Sequence, residues 1–217
     1  VWIPLALFIA TCFSTLLAGG ATVALDSVSR VGPAQALWNG FCEGLKYAVP
    51  VMTILLCHEM GHFVQAWRYG VHASLPFFLP MPLSPIGTFG AVIAMEPRRG
   101  DRRALFDIGI TGPLAGLVPT MIFLILGLHW SGWPVPRPVQ PELVYGNPLL
   151  VQFIERWMFG PIPAGFYIKM HPTAFAGCVG LLVTSLNLIP VGQLDGGHIL
   201  YGMLRSKAQI IAIMVFV

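Results

Sequence analysis

The sequence predicts an all-α polytopic membrane protein carrying a membrane-associated β-hairpin or re-entrant loop. Hydrophobic residues make up 56% of the 217-residue chain and charged residues 10%, with a mean hydropathy of +0.76, which departs from the balance of a soluble domain. The apolar residues gather into stretches of about 20, the length that crosses roughly 30 Å of hydrocarbon. Between two of these stretches an apolar run is interrupted by Pro76, Pro80, Pro82 and Pro85, which forbid an ordinary spanning helix.

The first span is expected over Trp2 to about Leu25, with Gly19-Gly20 as a close-packing or kinking point and the helix serving as an anchor only. It lacks the basic start and small-residue cleavage site of a signal peptide. Asp26 to Lys46 reads as a polar connection in which Ala34 to Cys42 forms a short interfacial helix. The second span runs from Tyr47 to about Tyr69. Leu75 to Ile86 then dips as a loop, and Gly87 to Met95 reads as turn plus strand. Irregular backbone at membrane depth survives only where protein or a wet cavity satisfies its polar groups. A strand edge exposed there can bind an unwound peptide through main-chain hydrogen bonds.

Arg98-Arg99-Gly100-Asp101-Arg102-Arg103 reads as a topology anchor. The third span covers about Ala104 to Trp130 and contains Gly112-Pro113-Leu114-Ala115-Gly116, small residues that let helices approach closely. Asp107 is placed at the interface. Ser131 to Pro172 is a surface loop with one short helix near Leu149 to Phe159, and His129 and His171 flank it without a metal role. The fourth span runs from Thr173 to about Val191. Residues 208 to 217 begin an apolar run too short to span, as of a longer chain cut there.

Chemistry is concentrated in Cys57-His58-Glu59-Met60-Gly61-His62. Positions four apart on a helix lie about 40° from each other around the axis, so His58 and His62 can offer ring nitrogens to one metal ion. Glu59 can hold the water that the metal polarises, acting as general base and then as acid to the leaving group. An ionisable residue at bilayer depth costs roughly 2.5–3.5 kcal/mol on insertion scales, which argues against three idle ones. Two histidines leave a zinc site incomplete. Asp195, in a turn loosened by Pro190, Gly196 and Gly197, is the natural third ligand, with a helix-end cap as its other reading. His198 stays outside the ligand set. Cys57 points about 100° away from His58, and it reads, like Cys12, Cys42 and Cys178, as a packing thiol.

The net charge of +3 comes without an aromatic-laced basic patch, so nucleic acid is not an expected partner. With four spans, Arg68, Arg98, Arg99, Arg102, Arg103, Arg205 and Lys207 share one side, and Arg30, Lys46, Arg137, Arg156 and Lys169 the other. The denser group predicts the cytoplasmic face. Both halves of the metal site then approach that face.

These residues resemble the site-2 protease family of intramembrane zinc metalloproteases. The resemblance rests on His58-Glu59-x-x-His62, on Gly112-Pro113-Leu114-Ala115-Gly116, and on Asn187-x-x-Pro190 followed by Leu194-Asp195-Gly196. It covers about residues 47 to 204 and implies a three-helix catalytic core with flanking transmembrane helices. It also implies that His58, His62 and Asp195 bind Zn2+, that Glu59 activates water, and that Asn187 helps stabilise the tetrahedral oxyanion. The stretch Gly87, Thr88, Phe89, Gly90 is similar to the family's substrate-binding strand, in the branch that includes plant chloroplast and cyanobacterial members. Gly192 stands where many members have a second proline. The Ser131–Pro172 loop is too small for the PDZ domain that some bacterial members insert.

The expected organisation is therefore an N-terminal helix and connection over 1–46, a zinc protease core over 47–204, and the start of a further helix over 205–217. The expected activity is hydrolysis of a peptide bond within or near the transmembrane helix of a single-span membrane substrate, as in regulated intramembrane proteolysis. Three other readings remain open. One is a membrane zincin trimming lipid-modified peptides, which takes a downstream Glu as third ligand; the later Glu142 and Glu155 lie in the loop on the opposite side, which argues against it. The others are a metal transporter and an inactive metal-binding scaffold. The sequence is silent on oligomeric state.

Overall fold

The computed structural model describes residues 2–95, 102–136, 148–192 and 194–204. Among the described residues six helices and two small strand pairs follow in the order α1 (Trp2–Val31), α2 (Pro33–Arg68), β1 (Phe77–Pro80), β2 (Thr88–Val92), α3 (Arg102–Trp130), β3 (Val135–Pro136), α4 (Leu149–Phe159), β4 (Phe166–Tyr167), α5 (Pro172–Asn187) and α6 (Asp195–Leu204). Among the described residues α1, α2 and α3 are long and apolar enough to cross a membrane. Residues 205–217, most of the Arg98–Arg103 run, and Arg137 and Glu142 lie outside the described residues, so much of the charge pattern behind the expected orientation lies there too.

The expected polar connection between the first two spans is helix instead. The only break is Gly32, at φ +81, with Pro33 opening α2, a pairing suited to a helix start. The polar residues beyond it face outward and support the helix locally: Gln35 donates to Asn39 at 3.1 Å, and Lys46 meets Glu43 at 2.5 Å. The α1–α2 contact is backbone on backbone. A Cβ on Gly20 would fall 2.0 Å from the Gly40 carbonyl oxygen, and one on Gly44 would fall 2.4 Å from that of Leu16. Gly19-Gly20 is thus a packing point, and α1 passes it unbroken.

Pro50 lies inside α2 and has no N–H to give the Lys46 carbonyl. The Thr173 hydroxyl, at the start of α5, donates to that oxygen at 3.0 Å, so a helix defect becomes a tie between helices. Small residues likewise let α3 and α5 touch: a Cβ on Gly177 would lie 2.8 Å from Leu124 Cα, and one on Gly180 2.6 Å from Thr120 Oγ1. The fourth apolar segment is shorter than expected. Helix α5 stops at Asn187, spanning about 24 Å, and the chain turns through residues 188–192 and at Leu194 before α6 resumes at Asp195.

The proline-rich stretch supplies the first strand of an antiparallel hairpin, β1 with β2, pairing Phe77 with Val92, Phe78 with Ala91 and Pro80 with Thr88. Prolines are tolerated because the pairing ends in an irregular register at Pro80. The hairpin packs on α1 through an edge-on Phe8–Phe78 contact at 5.1 Å, and Ser14 of α1 donates to the Gly87 carbonyl at 2.6 Å. Helix α1 is therefore more than the anchor expected of it. The helix expected near Leu149–Phe159 is α4, flanked by the two-residue β3–β4 pair.

Candidate metal centre

Helix α2 carries His58, Glu59 and His62 into the interior, each no more than 4% exposed. The helical repeat places the two imidazoles one turn apart, with Nε2 atoms separated by 3.2 Å. The turn before α6 brings in Asp195, whose Oδ2 lies 3.1 Å from His58 Nε2 and whose Oδ1 lies 3.2 Å from His62 Nε2. Ligand atoms of these three residues lie within 4.8 Å of one another, and Cys57 and His198 are not among them.

The donor set fits zinc. Ligands about 2.0–2.1 Å from a tetrahedral zinc sit about 3.3 Å from each other, and the three observed separations, 3.1, 3.2 and 3.2 Å, match that edge. The tautomer of His62 follows from its surroundings. Its Nδ1 lies 2.8 Å from the Ile108 carbonyl, which can only accept, so Nδ1 carries the proton and Nε2 presents its lone pair to the metal position.

Helix α3 is shaped around these rings. A Cβ on Gly112 would fall 2.0 Å from His62 Nε2, and one on Gly116 3.0 Å from His58 Cβ. Gly61 of α2 faces the same surface, where a Cβ would lie 2.7 Å from the Thr111 carbonyl oxygen. The Gly112–Gly116 motif therefore makes room for the His58 and His62 side chains as well as for a helix. At the end of α2, Tyr69 donates to the Asp107 carboxylate, one residue before Ile108. Asp107 holds α3 to α2 beside the carbonyl that orients His62 and supplies no ligand.

Two further residues complete the surroundings. The Asn187 side-chain amide, at the last residue of α5, lies 3.1 Å from His58 Nε2, so the helix break leaves a polar amide facing the metal position. Asp195 depends on Gly196, where a Cβ would fall 2.2 Å from the Leu188 carbonyl oxygen; only a bare backbone lets the turn fold this tightly onto α6.

The sequence model of peptidase family M50 matches residues 46–216. The chain belongs to that family. The family's chemistry fits the donor set just described, and Zn2+ is the cofactor it implies. The chain is 34% identical over 181 residues to the probable zinc metalloprotease EGY1, chloroplastic, of Oryza sativa subsp. japonica, covering 81% of this chain and 31% of that protein. It is similar also to the EGY1 protein of Arabidopsis thaliana (34% over 170 residues, 76% and 31% covered) and to the probable zinc metalloprotease EGY2, chloroplastic, of the same plant (30% over 166 residues, 76% and 30%). The chain thus spans about a third of the length of these relatives. No solved structure matches it.

The structure brings His58, His62, Asp195 and Asn187 to one place, buries Glu59 next to His58 on α2, and sets the Gly87–Gly90 stretch on the hairpin. There Gly87, Thr88 and Gly90 are buried and Phe89 is 71% exposed. Reasoning from the sequence did not find the Ile108 carbonyl or the Tyr69–Asp107 contact. A backbone acceptor leaves no mark in residue identity, and Asp107 was visible only as a charge near a span end.

Proposed function

We propose that the chain is the core of an intramembrane zinc metalloprotease, residues 47–204 forming the membrane core and 1–46 the preceding transmembrane helix and its helical connection. It hydrolyses a peptide bond within or near the transmembrane helix of a single-span membrane protein, as in regulated intramembrane proteolysis. The observation that carries the reading is the convergence of His58, His62 and Asp195 at zinc-ligand separations inside a buried, apolar helix packing.

His58, His62 and Asp195 hold the metal, which when bound polarises a water and the attacked carbonyl. Glu59 would take a proton from that water as the new C–O bond forms and the carbonyl π pair moves onto oxygen, and would then deliver that proton to the amide nitrogen as the oxygen's electron pair returns and the C–N bond breaks. The Asn187 amide N–H donates to the carbonyl oxygen as negative charge builds there. The Gly87–Gly90 segment, with β2, offers an extended edge to a substrate strand, because a helical peptide bond must unwind before its carbonyl is open to attack. Family membership and the concentration of Arg68, Arg102 and Arg103 near the metal-bearing helix ends support placement of the site toward the cytoplasmic face of a multi-pass protein.

Glu59→Gln tests the reading: cleavage of a membrane-span peptide in proteoliposomes should fall by about 10²–10⁴ while about one zinc per chain remains. Cleavage at the wild-type rate would refute it. An inactive scaffold would show zinc without cleavage in the wild type. A transporter would move metal equally well in wild type and variant.

A further inference from the structure

The hairpin is fixed at two consecutive carbonyls. The Ser14 hydroxyl of α1 donates to Gly87 O at 2.6 Å, and the Tyr47 hydroxyl of α2 donates to Ile86 O at 2.8 Å. Both donors are buried, at 2% and 1% exposure. Gly87 has φ +80, and a Cβ on it would fall 2.7 Å from the Ser14 carbonyl oxygen and 2.7 Å from Thr15 Cα. The turn before β2 is therefore seated on the α1 backbone itself, which only glycine permits.

The neighbouring hydroxyls on α1 behave differently. Thr11 and Thr15 donate to carbonyls one turn back in their own helix, at Leu7 and Thr11, whereas Ser14 also reaches the hairpin. Thr88, directly after the clamped pair, lines one small cavity together with Val51 and Ile54 of α2 and Val179 and Val183 of α5. One helical turn further along α2 from Ile54 is His58, and one turn along α5 from Val183 is Asn187. A displacement of the Ile86–Gly87 pair thus changes where β2 stands against the metal ligands.

We propose that α1, which lies outside the residues matched by the family model, acts together with α2 to position the substrate-binding strand, with Ser14 of α1 and Tyr47 of α2 as the positioning residues. The inference rests on the protease reading above. Neither residue touches substrate; together they hold the hairpin turn so that a strand added along β2 presents its carbonyl to the metal position.

The test uses the full chain in proteoliposomes and the pair Ser14→Ala, Tyr47→Phe, singly and together. The probe is a lysine-flanked polyleucine span broken by Asn-Pro. Amide hydrogen exchange over residues 86–92 should accelerate about tenfold in the double variant, as expected for the loss of buried hydrogen bonds, with zinc content and exchange over 51–62 unchanged. The KM for the probe should rise about tenfold with kcat within about twofold of wild type, the pattern of a binding strand misplaced rather than a damaged centre. Unchanged exchange over 86–92, or a fall in kcat at constant KM, would overturn the proposal. A wild type that leaves the probe as uncut as Glu59→Gln does would instead sink the protease reading and the substrate role with it. The exchange measurement would still decide whether α1 holds the hairpin.

Discussion

Gly112→Ala should cost the metal and spare the fold. The new Cβ would fall 2.0 Å from His62 Nε2. An ordinary carbon–nitrogen contact is about 3.4 Å, so ring or helix must give by roughly 1.4 Å, several times the ±0.2 Å tolerance of a zinc–nitrogen bond. Retreat of the ring also weakens its 2.8 Å hydrogen bond to Ile108, and loss of such outer support alone costs about 10–100-fold in affinity. With the ligand itself displaced, a loss of at least 100-fold is expected. Alanine is the better helix former by about 1 kcal/mol, so helix content should not fall. Gly116→Ala is the graded control: its Cβ would meet His58 Cβ at 3.0 Å, needing a shift of a few tenths of an ångström, and a smaller loss is expected. The assay is zinc competition against a chelator, with circular dichroism on the same samples. Wild-type zinc affinity in a folded Gly112→Ala protein would refute the claim that α3 is shaped around the ligand.

Asn187→Ala removes the amide 3.1 Å from His58 Nε2 and should lower kcat about 10²–10³-fold, as for the loss of one oxyanion donor, with zinc stoichiometry retained; an unchanged kcat would remove Asn187 from the mechanism. Thr173→Val keeps the side-chain shape but leaves the Lys46 carbonyl, freed by Pro50, without its 3.0 Å donor. A stability loss of about 1–3 kcal/mol is expected, read as a lower thermal midpoint with zinc binding intact, and an unmoved midpoint would show that water replaces the hydroxyl.

The candidate ligand set was legible because its geometry is local or is dictated by valence. His58 and His62 are one helical turn apart in any helix, and a two-histidine zinc site needs a third ligand, for which Asp195 was the natural candidate beside its reading as a helix-end cap. That Leu75–Ile86 is not a spanning helix was legible because prolines at 76, 80, 82 and 85 cannot continue one, whereas the pairing of Phe77–Pro80 as a strand with Thr88–Val92 was not. What escaped depended on partners distant in sequence. Residues 26–46 read as a connection because they are polar, yet with one glycine as the only break they remain helical, and Gly40 and Gly44 acquire meaning only against α1. Nothing in the first span marks Ser14, whose role depends on the Gly87 carbonyl 73 residues away. Fourth-span length was overestimated because apolar composition continues past Asn187, whereas the helix must stop there to turn Asp195 inward.

The most direct test of the centre is zinc per chain in detergent-purified protein, wild type against His58→Ala and Asp195→Ala. About one zinc in the wild type, lost or weakened in both variants, is the expected result. A folded wild type that takes up no added zinc, or variants that hold it as tightly as the wild type, would contradict the three-ligand site.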